Sequence, residues 1–284
     1  MLELSAATVL LQWATGGLVF CWVTTRHRHV GLGYGWLLRA SFGGLAVMAA
    51  VLGLRFGPDR LRDTIAVLVA LAAAAALAQS VTRRSAGVAN QRALAESRTA
   101  RVAAMTGIDR EVKAKEASGP EFDQRLDLIA PAIGLVGLGL LGLQGDPAWL
   151  AVGRLLAGTI FLGAVTDAML LGHWYLVQPG LDRKYLSELV SWTGRSWAPV
   201  VVLWLIPTGM VSVLSGEIDD GWGGLLGWFW ISCAVATIVL VVATRSALRE
   251  RQYAAVMAAT GLLYLAILTA FGTDLVARAL LVPG

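Results

Sequence analysis

The residues of this chain that could do chemistry are three histidines and a few ionisable groups set inside apolar stretches. His27 and His29 stand in Arg26-His27-Arg28-His29, and His173 opens His173-Trp174-Tyr175. Asp167 precedes His173 on the same apolar run, and Arg39 interrupts another. Haem b in a helix bundle takes two neutral imidazoles from different helices. His173 with His29 or His27 meets that requirement, and Arg26, Arg28 or Arg39 would face the propionates. A quinone needs less: one group that exchanges a proton with a carbonyl oxygen, between apolar walls. An imidazole with a reference pKa of about 6.5 suits that exchange, with Asp167 as a second proton group and Trp174 and Tyr175 as an aromatic lid. The same residues admit a transporter, in which Asp167 and Arg39 form a coupling ion pair and Pro207 a hinge.

Other chemistries lack their residues. A metal site is not expected, because Arg26 and Arg28 repel a cation and no Cys or carboxylate stands as a further ligand beside the histidines. Cys21 and Cys233 lie in different apolar runs without paired spacing, and read as buried small hydrophobes. GxSxG, HExxH, Walker A and dinucleotide fingerprints are missing.

These groups must be positioned by membrane helices. Of 284 residues, 57% are apolar, and the mean hydropathy is +0.67, beyond what a water-solvated domain carries. A bilayer core of about 30 Å takes about 20 helical residues. The candidate spans are 5–25, 31–54, 64–82, 127–145, 149–176, 197–215, 222–244 and 253–278. The fold class is therefore all-α, a polytopic bundle of eight transmembrane helices. Its organisation is three spans in 1–82, a charged cytoplasmic segment in 83–126, and five spans in 127–284. The charged segment is too short for a core of its own. It reads as a helical extension of the third span from Thr82 to Met105, followed by a looser return.

Lys and Arg alternate between loops. Arg26, Arg28, the basic residues of 83–126, Arg183, Lys184, Arg195, Arg245, Arg249 and Arg251 gather on one side, which the positive-inside rule makes cytoplasmic. Asp146, Glu217, Asp219 and Asp220 mark the other, with both termini. The sequence pI of about 9.4 then reflects topology, and nucleic acid is not an expected partner. Trp22, Trp36, Trp192 and Trp197 suit the inner boundary, and Trp149, Trp222 and Trp228 the outer. Gly16, Gly17, Gly43, Gly44, Gly134, Gly137, Gly139 and Gly142 permit close helix approach.

Arg26-His27-Arg28-His29 followed by Gly31-Leu32, and His173-Trp174-Tyr175 followed by Gly180-Leu181, align as corresponding helix ends of a weak 4+4 parallel repeat. The expected function is an electron-transfer subunit of a bacterial-type inner membrane, contacting quinone or haem b at the cytoplasmic leaflet alongside other subunits of a redox complex. A small-solute or ion transporter and a non-catalytic assembly subunit are the alternatives.

Overall fold

With no water in hydrocarbon to bond backbone N–H and C=O groups, a chain of this composition satisfies them within helices. The computed structural model describes residues 5–84, 96, 97, 99, 100, 103, 104, 120–178, 181–250 and 252–281, and among these there is no strand. The helices are α1 (Ala6–Thr25), α2 (Leu32–Phe56), α3 (Arg60–Thr82), α4 (Ile129–Gly142, entered through the 3-10 turn Gln124–Leu128), α5 (Ala148–Val177), α6 (Lys184–Leu205), α7 (Gly209–Leu214), α8 (Leu225–Arg249) and α9 (Tyr253–Leu281).

Seven of these, α1 to α5, α8 and α9, are long and apolar enough to cross a membrane. The span expected over 197–215 is different. Its helix begins at Lys184 and stops at Leu205, with Ile206 extended ahead of Pro207. Proline pushes the preceding residue out of the helical region, so the short α7 starts anew beyond it. Arg154 of α5 takes the carbonyls freed at this break, donating from Nε to Leu203 O at 3.0 Å and from Nη2 to Ile206 O at 2.7 Å. Near the opposite end of α5, the Tyr175 hydroxyl donates to the Asp182 carbonyl at 2.6 Å. α6 therefore lies antiparallel along α5. Most of the expected extension from Thr82 to Met105 lies outside the described residues; α3 itself ends at Thr82.

Packing divides the helices into two rings. α1, α2, α3 and α4 each lie against the next, and α4 returns to α1; α5, α6, α8 and α9 do the same, with α9 returning to α5. The rings join chiefly where α1 meets α5. At that crossing a Cβ on Gly16 would collide with the Thr159 carbonyl, and one on Gly163 with the Gly16 backbone. Gly134 and Gly137 of α4 likewise admit Thr15 and Ile65.

Cross-links tie the connections into two ends. At the basic end, Arg26 pairs with Glu188 at 2.6 Å, Gln178 bonds the Gly31 and His29 backbones, and Arg183 reaches the Glu250 and Gln252 carbonyls. At the other end Asp220 organises the turn into α8, accepting N–H bonds from Gly224, Trp222 and Leu226 at 2.8, 2.9 and 2.8 Å. Gly221, Gly223 and Gly224 in this turn have φ of 70°, 64° and 86°, a region that side chains with a Cβ avoid. Trp149, Trp222 and Trp228 are exposed around this end.

Two outcomes test this architecture. Gly163→Ala should destabilise the protein by about 1–3 kcal/mol, as overpacking does, whereas Gly44→Ala and Gly139→Ala, where a Cβ meets nothing within 4 Å, should leave thermal unfolding in detergent unchanged. Asp220 is held below the usual carboxylate range, first by the Gly224 N–H. A depressed carboxylate stabilises above its unfolded pKa, about 3.9, and loses that contribution as pH falls through its folded value. Hydrogen exchange across Trp222–Leu226 should therefore show the turn opening below about pH 4, and already at neutral pH in Asp220→Ala.

Candidate functional site

Arg39 sits one turn after Gly35, where a Cβ would come within 2.8 Å of its guanidinium. Glycine there leaves the side chain room to turn toward the start of α4. It meets Asp127, not Asp167: Nε donates to Oδ1 at 2.7 Å and Nη2 to Oδ2 at 2.6 Å. The two side chains are 4% and 3% exposed. Ser80 of α3 accepts from Arg39 at 3.4 Å and from Trp36 at 3.0 Å, the Thr25 hydroxyl donates to Asp127 at 3.4 Å, and the Phe122 ring lies 4.7 Å from the guanidinium carbon. One planar ion pair thus ties α1, α2, α3 and the turn before α4 together. Paired and bonded in this way, a buried charge is tolerated.

Asp167 has no such arrangement. It is fully buried in α5, and neither carboxyl oxygen has a hydrogen-bond partner. Tyr34 donates to the Asp167 backbone carbonyl at 3.4 Å, leaving the carboxyl itself untouched. The Tyr34 bond comes from α2, so this stretch of α5 lies against the first ring. On α1, Thr15 Oγ1 and Gln12 Oε1 are also buried without partners. From Asp167 to Val177 the helix rises about 15 Å, which sets the carboxyl deep between the two ends.

Toward the other end, Asp274 and Arg278 of α9 form a buried pair at 2.6 Å. The centre of the Trp204 ring lies 4.6 Å from the guanidinium carbon of Arg154 and 5.5 Å from that of Arg278. Gln12 donates to the Leu155 carbonyl at 2.7 Å beside them.

The histidines do not converge. His173 is exposed on α5, and its Nδ1 lies 3.4 Å from the Tyr264 hydroxyl of α9. The His27 and His29 rings stand 6.3 and 5.4 Å from that of Tyr185, and Arg26 donates to His27 Nε2 at 2.9 Å. His29 titrates below its ordinary value, through partial burial and then the nearby Lys184. No two imidazoles face each other across a gap among the described residues, so the chain does not fit a bis-histidine haem. No group of three metal-ligating side chains occurs among them either. Arg28 pairs with Glu121, Trp174 donates to Gln178 at 3.1 Å, and Tyr175 is engaged with Asp182. These three have structural partners. Comparison with known protein families, curated proteins and solved structures gives no match.

Two partners escape the sequence reading. Asp127 opens the apolar run after the charged segment in Arg125-Leu126-Asp127, where an acid looks like ordinary flanking charge. Arg278 follows Asp274 at i,i+4 spacing, which is a legible pairing signal.

Asp127→Ala, which strands a buried guanidinium, should cost about 3–5 kcal/mol, while Arg39→Met combined with Asp127→Leu should recover most of it. Thermal unfolding in detergent reads both. Glu121→Ala, which breaks a partly exposed pair, should cost less than about 1 kcal/mol.

Proposed function

We propose that this is a multi-pass membrane carrier that binds and moves a small cation, a proton or a monovalent metal ion, through the carboxyl of Asp167. The observation that carries this reading is the isolation of that group: fully buried, with both oxygens unpartnered, at the junction of the two four-helix rings. An ionised carboxylate without a partner is costly in hydrocarbon. A proton or a bound cation removes that cost, and loses its hold when water or a second cation reaches the site. Arg39 is saturated by Asp127 and cannot be the counter-charge, so the coupling pair expected between Arg39 and Asp167 gives way to a lone carboxyl.

In this reading α6 is an eighth crossing, antiparallel to α5. Both termini then lie away from the basic end, which faces the cytoplasm of a bacterial-type inner membrane. The two rings are the halves of a 4+4 parallel repeat, in which α1 and α5 correspond and cross at Gly16 and Gly163. Rocking of one ring against the other about that side-chain-free contact would expose Asp167 to either end in turn, as repeat-built carriers do. Tyr34 of the first ring meets the Asp167 backbone, while Gln12 and Thr15 supply uncommitted oxygens along α1.

A second reading keeps the quinone-facing redox subunit and rests on the exposed contact of His173 with Tyr264. An imidazole and a phenol side by side on the outer surface of α5 and α9 would meet a lipid-soluble quinone without any internal pocket.

Liposomes loaded with a pH-sensitive or sodium-sensitive dye distinguish these. Wild-type protein should move one of the two cations under an imposed potential. Asp167→Asn should lower that flux at least tenfold with unfolding temperature kept, and His173→Ala should leave it unchanged. Equal flux in wild type and Asp167→Asn would sink the carrier reading. Quenching of Trp174 fluorescence by a short-chain quinone, lost in His173→Ala, would favour the second.

A further inference from the structure

We infer that the groove where α6 and α8 meet near the basic end binds the headgroup phosphate of an anionic phospholipid. The starting point is Arg195. It is exposed on α6, and unlike Arg39, Arg62, Arg154 and Arg278 it makes no hydrogen bond or ion pair among the described residues. Its level in the bundle is fixed by its neighbours. A Cβ on Gly194 would lie 3.3 Å from Val241 of α8, and Trp197 Nε1 donates to the Ala234 carbonyl at 2.9 Å. Arg195 is therefore abreast of the apolar stretch between Ala234 and Val241, inside one of the seven apolar helices.

A guanidinium facing lipid at that level must find water or an anion. Its flexible stem lets the head extend toward the basic end. There Arg245 stands four residues beyond Val241, about 6 Å along α8, on the helix face that continues toward α6, and Arg249 follows four residues later. Both are exposed and without partners among the described residues. The acid that α6 carries nearby, Glu188, is already taken by Arg26. Cations from two helices thus flank one groove and, among the described residues, none of the three is paired with a carboxylate, which is the composition that recognises anionic headgroups between transmembrane helices. Val235, Val239 and Val242, each more than half exposed, continue the groove as an apolar track for the acyl chain, and the partly exposed Trp192 marks the headgroup level on α6. Free phosphate lacks this apolar complement, so a lipid is the occupant that matches both parts. The inference is independent of what Asp167 does.

Native mass spectrometry of the full chain, released from detergent with phosphatidylglycerol or phosphatidylcholine, tests it. Wild type should retain phosphatidylglycerol at least fivefold over phosphatidylcholine, and an excess of inorganic phosphate should not displace it. Arg195→Gln with Arg245→Gln should abolish the preference, whereas Arg60→Gln, a basic residue at the opposite end, should keep it. If the double variant fails to fold, each single variant should show a partial loss, and Arg195→Lys should retain part of the preference. Undiminished phosphatidylglycerol retention in the folded double or single variants overturns the site. So does a wild-type dimer that dissociates in them, which would make this face a contact between two copies.

Discussion

At Gly16 and Gly163 the backbones of α1 and α5 come together with no side chain between them, and the positions of most polar groups follow from that contact. It brings Gln12 onto the Leu155 carbonyl and the Trp13 indole onto the Thr166 hydroxyl at 3.0 Å. It also lets the Tyr34 hydroxyl of α2 reach the Asp167 carbonyl of α5. A larger residue at either glycine would separate the rings by roughly the thickness of a methyl group, and each of these contacts would open together. In hydrocarbon, where no hydrophobic force pulls helices together, such contacts and the hydrogen bonds they allow are what hold the bundle.

Much of the polar bonding in the interior is closed within single helices. Thr159, Thr166, Thr193, Thr237, Thr244 and Thr260 each return their hydroxyl to the carbonyl four residues earlier, so these groups enter the bilayer without asking for a partner on another helix. Arg62 is bonded to Ser5, Gly57 and Asp63. Against this background the bare carboxyl of Asp167 stands apart, because the bundle satisfies three buried arginines, Arg39, Arg62 and Arg278, and leaves this acid alone.

Much of the architecture was legible from hydropathy. The apolar runs that became α1, α2, α3, α5, α8 and α9 were each long enough to read directly, with ends displaced by a few residues. α6 was the failure, and its cause is physical. Lys184, Glu188 and Arg195 interrupt the run on one face, so the apolar window slid past them to 197–215 and across the break at Pro207. At the level of side chains, period and depth showed that Arg39 needed an acid, but not which one. Asp127 and Asp167 both lay within reach, and only the folded return of the chain into α4 decides between them. The histidines illustrate the opposite limit: a shared end of the bundle was readable, whereas the direction each ring faces depends on helix rotation. Rotation of α5 put His173 beside Tyr264, and the turn after α1 put His27 and His29 beside Tyr185.

The polar outer face of α6 bears on how the chain is assembled during synthesis. If α6 is the eighth crossing proposed above, a segment that carries Lys184, Glu188 and Arg195 partitions into a bilayer less readily than its neighbours and does not leave the insertion channel by itself. α5 emerges before it and α8 after it, and both pack on α6. Release into lipid would then be a joint event of these three helices, with the break at Pro207 supplying the slack that lets α6 wait for α8.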